Sequence, residues 1–300
     1  MSPGARVALV APAGPLNAEH IERSRARCQA LGLEPVVFPA AASRNRFLAG
    51  TDAERLSDLQ AAFDDRTIDA IWALRGGYGT IRIVDQLDLS RQLDSPAAYI
   101  GFSDNTILHA QHAALGVVSF HGPHPGADFP PQTEAAFRRV LFQSSPAGVL
   151  RPWPNDPSPV SLVGGRAEGA LVGGNLATLA SLCGTSLALP AAGKLLFLED
   201  VSEPAYRIDR MLMQLERSGL VIGVVGLVFG RFTNVPRGDD SVTEVLREFA
   251  ERMGVPAVAD LPFGHVPHNW TLPLGVRALL DADAGTLSLE ESAVAARCQT

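Results

Sequence analysis

The chain has 300 residues, 46% apolar and 19% charged, with a formal net charge of −7. That is enough apolar material for a packed core, which excludes a wholly disordered chain, and the length suits two domains or one large α/β domain. The acidic balance, with no basic run, argues against nucleic acid or an anionic membrane as a partner.

Cys28, Cys183 and Cys298 lie far apart with no CxxC pair, so neither a disulfide framework nor a zinc cage is indicated. The apolar run at residues 7–11 is too short for a signal-peptide core or a spanning helix, and the reading is a soluble cytoplasmic protein.

The first 125 residues alternate strand and helix patterns. Residues 6–11 read as a buried strand ended by Pro12 and Gly14, and 17–31 as a helix with Gly32 just past its end. Residues 35–38 form a second strand, and Thr51-Asp-Ala-Glu54 is a capping box ahead of a helix running to about Asp64. Residues 68–74 make a third strand that runs into Arg75-Gly-Gly-Tyr-Gly79. Residues 98–102 make a fourth, followed by a helix over 104–115, and 117–120 a fifth. Short continuous apolar strands separated by helices imply a parallel sheet covered on both faces. Ligands of such sheets sit beyond the carboxyl ends of the strands, where 75–79 and 102–106 both fall.

Pro146, Pro152, Pro154, Pro157 and Pro159 break any long element, so 146–165 reads as a linker between domains at 1–145 and 166–300. Beyond it, 168–172 is a strand leading into Gly173-Gly-Asn175, and 175–183 is a helix. Residues 195–198 are a strand ending at Glu199-Asp200. Residues 206–217 form a helix with Ile208, Met211, Leu212 and Leu215 at core spacing. Further strands are expected at 221–229, 256–258, 277–281 and 286–289.

Gly101-Phe-Ser103-Asp-Asn-Thr106 places a serine at a strand-to-helix corner, as a nucleophile elbow does, except that Asn105 stands where G-x-S-x-G has its last glycine. The competing use is an ordinary N-cap of the following helix. Arg75-Gly-Gly-Tyr-Gly79 is either an oxyanion or phosphate cradle or a tight turn. Glu199 follows an apolar strand as an orienting acid would, or is a plain polar strand end. His265, on the Gly/Pro-fixed loop Gly264-His265-Val-Pro-His268, could act as a general base or be a surface-loop histidine. His109, His112, His121 and His124 lack a partnering acid motif such as H-E-x-x-H, so no metal site is expected.

Ser103, Glu199 and His265 occur in the order Ser, acid, His. Together with Ala73-Leu-Arg-Gly-Gly-Tyr-Gly79, Phe120-His-Gly-Pro123, Val172-Gly-Gly-Asn-Leu176, Phe197-Leu-Glu-Asp200, Tyr206-Arg-Ile-Asp-Arg210 and Leu272-Pro-Leu-Gly275, they make the chain resemble, over nearly its whole length, the LD-carboxypeptidase family of serine peptidases, which includes the microcin C immunity peptidases. The resemblance implies an α/β protein with an amidotransferase-like (flavodoxin-like) N-terminal parallel-sheet domain carrying the serine. A smaller β-rich α/β C-terminal domain would supply acid and base, with the site at the domain interface.

It further implies Ser103 as nucleophile, Glu199 as orienting acid and His265 as base, with no metal or organic cofactor, in a homodimer. The implied reaction is hydrolysis of an L-to-D amide, releasing terminal D-Ala from a murein tetrapeptide in cell-wall recycling. Backbone N–H groups of Gly77 and Asp104 are the candidates for an oxyanion hole. Arg75, Arg207, Asn175 and Trp270 are candidate substrate contacts. The alternatives are a self-immunity peptidase cleaving peptidyl- or aminoacyl-nucleotides, with Trp270 stacking a base, and a non-catalytic anion-binding protein. His268 could compete with His265 as the base.

Overall fold

A computed structural model describes residues 1–236 and 241–295; Cys298 lies outside them. The chain forms two compact units, one spanning Met1–Phe129 and the other beginning at Pro130.

The first unit runs β1 (Arg6–Val10), α1 (Ala18–Ala30), β2 (Glu34–Val37), α2 (Asp52–Asp64), β3 (Ala70–Ala73), α3 (Arg91–Asp94), β4 (Ala98–Gly101), α4 (Thr106–Ala114) and β5 (Ser119–His121). Its five strands are parallel in the order β5-β4-β3-β1-β2, with Val7 opposite Ala70 and Ile71 opposite Tyr99. Strand β3 and nearly all of β1 and β4 are buried, which is why their sequences are continuous apolar runs rather than alternating ones. Chain order reverses between β1 and β3, so a crevice opens at their carboxyl ends. The helix starts are set locally. The Asn17 side chain accepts from the His20 N–H, and Thr51 and Glu54 form both halves of the capping box on α2.

The second unit runs α5 (Pro131–Leu141), β6 (Gly148–Leu150), β7 (Val160–Val163), β8 (Arg166–Asn175), α6 (Leu176–Leu182), β9 (Lys194–Val201), α7 (Ala205–Arg217), β10 (Gly226–Thr233), α8 (Val242–Met253), β11 (Ala257–Leu261), β12 (Leu272–Leu274), β13 (Arg277–Asp281) and β14 (Thr286–Leu289). Eight of these strands form one mixed sheet, β6-β14-β13-β8-β9-β10-β11-β7. Strands β8 to β11 are parallel at its centre, with antiparallel flanks.

Three expectations need correction here. The proline-rich stretch at 146–165 is not a linker: it contributes β6 and β7, the two edge strands of this sheet, and Pro152, Pro154, Pro157 and Pro159 lie in the connection between them. The chain from Pro130 onward therefore belongs to the second unit, which is the longer of the two rather than the smaller. The strand expected at 221–229 begins only at Gly226, where pairing with Leu195 of β9 starts. Helices α5 and α8 were not anticipated.

His109 and His112 pack inside the first unit. The His109 Nε2–H donates to the Gly101 carbonyl (2.9 Å) and its Nδ1 accepts from Ser119 Oγ (2.9 Å), which satisfies a neutral imidazole. Burial holds His109 down to about 3 and His112 to about 4. Both values lie below that of an unfolded histidine, so under about pH 6.5 the unfolded chain binds more protons and stability falls as pH drops toward the folded values. His112→Gln should flatten the pH dependence of the urea-unfolding free energy between about pH 6 and 4.5 by about 1.4 kcal/mol per pH unit. An unaltered slope would contradict the burial argument.

Candidate active site

In the first unit, three connections gather at the carboxyl ends of β1, β3 and β4. The Gly14 N–H donates to the Gly76 carbonyl at 3.1 Å, joining the loop after β1 to the glycine-rich loop after β3. A Cβ placed on Gly76 would lie 2.7 Å from Ser103 Cβ and 3.0 Å from its Oγ. Only a residue without a side chain lets the serine turn lie against that loop. The Asp104 carboxylate accepts the Thr80 N–H at 2.9 Å, a second tie between the two segments.

Asn105 explains the departure from G-x-S-x-G. Its Oδ1 accepts from the Tyr99 hydroxyl at 2.6 Å, and its Nδ2 donates to the carbonyls of Phe102 (2.9 Å) and Arg75 (3.3 Å). The side chain thus laces β4, its own turn and the glycine-rich loop together. Ser103 itself sits at φ 62, a left-handed conformation costing a non-glycine residue about 1–3 kcal/mol. The capping use does not survive. Ser103 opens a short 3₁₀ turn, Ser103–Asn105, and α4 starts at Thr106 without a side-chain cap. Gly77, at φ 112, is exposed on the glycine-rich loop, and the Asp104 N–H lies beside Gly76 at the start of the helical turn.

In the second unit, Glu199 and Asp200 end the buried part of β9, and successive strand residues point to opposite faces. Glu199 is fully buried and accepts from His265 Nδ1 at 2.7 Å. This bond leaves Nε2 of the neutral ring as an acceptor. Gly264, at φ 101, admits this contact: a Cβ there would come 2.5 Å from Glu199 Oε2. Asn269 fixes the loop, donating from Nδ2 to the Gly264 carbonyl (2.9 Å) and accepting the Gly264 N–H (3.2 Å), while its own N–H donates to Thr133 Oγ1 (3.0 Å). Thr133 and Asn269 were not singled out from sequence, and no local pattern connects them. Burial works to lower the His265 pKa, but the Glu199 hydrogen bond and charge, with the Asp200 charge, outweigh it, and the net displacement is upward.

Asp200 serves the other face. It accepts from Asn175 Nδ2 (2.9 Å), the Ala177 N–H (2.8 Å) and the Val201 N–H (2.8 Å). Burial nevertheless pushes it up to about 6. Asn175 also caps α6 by accepting from the Thr178 N–H at 3.0 Å. His268 faces a different carboxylate, with Nδ1 3.5 Å from Asp156 Oδ1 and its ring edge-on to Trp153. Trp270 is 2% exposed, a packed core side chain rather than an open stacking surface. Arg207 is exposed and paired with Glu203 at 2.8 Å. Arg75 is exposed, donating to the Pro15 carbonyl at 2.9 Å. Among the described residues no group of three or more His, Cys, Asp or Glu side chains could hold a metal ion.

Family models match both parts of the chain, the LD-carboxypeptidase N-terminal domain over residues 7–122 and the LD-carboxypeptidase C-terminal domain over 168–280. The chain is 37% identical to the murein tetrapeptide carboxypeptidase of Pseudomonas aeruginosa, across 93% of this chain and 94% of that one. The muramoyltetrapeptide carboxypeptidase from Oxalobacter formigenes superposes with a TM-score of 0.83 at 30% identity, covering 95% of this chain and 98% of its own. A microcin C7 self-immunity protein in complex with aspartyl sulfamoyl adenosine shares the fold, with a TM-score of 0.88 at 22% identity, covering 98% of each chain.

Because Asn105 contributes three bonds that tie the serine turn to its neighbours, Asn105→Ala should lower stability by about 1–3 kcal/mol in chemical denaturation. Wild-type stability in that variant would show that the turn is held by other contacts.

Proposed function

The chain belongs to the LD-carboxypeptidase family of serine peptidases, and we propose that it removes the terminal D-alanine from murein tetrapeptides, in the cytoplasm and as a homodimer, during cell-wall recycling. The observation that carries this reading is the buried Glu199–His265 hydrogen bond at 2.7 Å. A glutamate held out of water and committed to one imidazole nitrogen orients the ring and stabilises its charged form. The other nitrogen is then the base.

In this reading His265 Nε2 takes the Ser103 proton as Oγ attacks the carbonyl of the L-residue. The tetrahedral oxyanion receives the N–H groups of Gly77 and Asp104, each such donor being worth about 2.7–4 kcal/mol in a transition state. The imidazolium, balanced by Glu199, then gives its proton to the amine of the departing D-alanine. Water, deprotonated by the same nitrogen, hydrolyses the acyl-enzyme and frees Ser103. No metal or organic cofactor enters any step. The free carboxylate of the leaving residue calls for a guanidinium, for which Arg75 and Arg207 are the candidates. The φ of 62 at Ser103 supports the nucleophile role, since a strained serine with no capping duty fits an elbow.

Incubation with purified muropeptides, followed by mass spectrometry, should show loss of one alanine from the tetrapeptide. Turnover of an aminoacyl-sulfamoyl adenosine alone would overturn the murein assignment. Ser103→Ala should abolish hydrolysis while keeping the fold. His265→Ala should do the same, whereas full activity in it and loss in His268→Ala would transfer the base role. As the base must be neutral, kcat/KM should fall as pH drops through a value raised above that of an ordinary histidine. Glu199→Gln should move that acid limb downward and reduce kcat by up to about 10⁴-fold; an unmoved limb would argue that Glu199 does not govern the ring.

A further inference from the structure

Two large aromatic rings stand open side by side on the first unit. Phe47 is 52% exposed and Tyr78 48%, with ring centroids 5.8 Å apart and planes inclined at 54°. Each is mounted on constrained backbone. Phe47 occupies the tip of a two-residue hairpin closed by reciprocal bonds between Asn45 and Leu48 (2.9 and 3.0 Å), which places Arg46 at φ 56. The hairpin is anchored by buried Leu48 and by the Ala49 N–H donating to the Ala13 carbonyl at 2.9 Å. Tyr78 lies between Gly77 at φ 112 and Gly79 at φ 141.

A charged brace stands behind the pair. The Tyr78 hydroxyl faces the Arg82 guanidinium, which grips Asp52 through Nε (2.9 Å) and Nη2 (2.6 Å). Asp52 in turn pairs with the buried Arg55, whose guanidinium donates to the Gly79 carbonyl at 2.9 Å. Two adjacent exposed rings on constrained loops contribute little to the core of the unit and present apolar surface to a ligand.

Position suggests that use. Tyr78 comes two residues after Gly76, whose Cα lies against Ser103, and two peptide units span at most about 7 Å. Parallel rings would suit a planar nucleobase. Rings inclined at 54° offer a bent apolar surface instead, against which the C–H groups on one face of a pyranose chair can pack. The Arg46 guanidinium, 5.4 Å from the Phe47 ring centre, adds a cation at the rim for the carboxylates of an acidic peptide.

We propose that Phe47 and Tyr78 form a specificity subsite that stacks the amino-sugar ring of a muramoyl-peptide substrate, beside the serine that cleaves its peptide. The proposal rests on the murein reading above and names the part of the substrate that reading leaves unassigned. The wild-type chain should then prefer a muramoyl tetrapeptide over the sugar-free tetrapeptide in kcat/KM. Phe47→Ala and Phe47→Leu should reduce that preference about three- to tenfold, the range of one aromatic contact. Phe47→Tyr, which keeps the ring, should retain it. Thermal midpoints of all three variants, compared with wild type, separate a lost contact from a damaged hairpin.

A wild type without preference, or an unaltered preference in folded Phe47→Ala and Phe47→Leu, overturns the subsite and leaves the murein reading standing. A preference lost equally in Phe47→Tyr overturns the ring contact. Loss confined to an aminoacyl-sulfamoyl adenosine overturns the sugar as occupant. A wild type that cleaves neither peptide removes the parent reading itself, and this inference with it.

Discussion

A carboxylate with no solvent exposure at the end of β9 is tolerable only if something replaces the water it has lost. Here that replacement is the His265 N–H. The second unit is arranged around the meeting. Gly264 gives up its side chain so that the loop can approach Glu199, Asn269 braces the loop from within, and Thr133 holds it from a segment far away in sequence. The same bond that pairs Oε2 of the buried acid fixes which ring nitrogen carries the proton and lifts the imidazole's basicity. The pairing of the buried acid and the basicity of the ring are one interaction viewed from its two ends.

The first unit solves a different problem with the same economy. A serine in the left-handed region is unfavourable unless its surroundings over-determine it. Three ties do so: Gly76 lets the two loops touch, Asp104 fastens to Thr80, and Asn105 bonds to Tyr99, Phe102 and Arg75. The aromatic pair at Phe47 and Tyr78 is an extension of that loop cluster, braced through Asp52 and Arg55 to the same glycine-rich segment. A rigid scaffold below and a loop cluster above is the division of labour that open parallel sheets favour.

Neighbouring positions of one short motif carry unlike duties. Glu199 serves His265, while Asp200, one residue on, holds the start of α6 through Ala177 and Asn175. Asn175, in a motif that resembles the family's, both caps α6 and donates to Asp200. Trp270, chosen as an aromatic that could stack a base, is packed away from solvent. Residue type alone nominated these positions; burial and partner geometry assigned the work.

What the sequence by itself determined is everything set by near neighbours. Continuous apolar runs marked β1, β3 and β4, Asn17 and the Thr51–Glu54 box marked helix starts, and an acid after an apolar strand marked Glu199. These follow from periodicity and capping within a few residues. Only the tertiary structure decided that prolines between 146 and 165 flank edge strands instead of joining domains, that Ser103 is strained rather than a cap, and that Glu199 chose the histidine at 265 while the one at 268 turned to Asp156. Those outcomes depend on which distant segments share a dry interior and must meet one another's polar groups, a selection that no local pattern records.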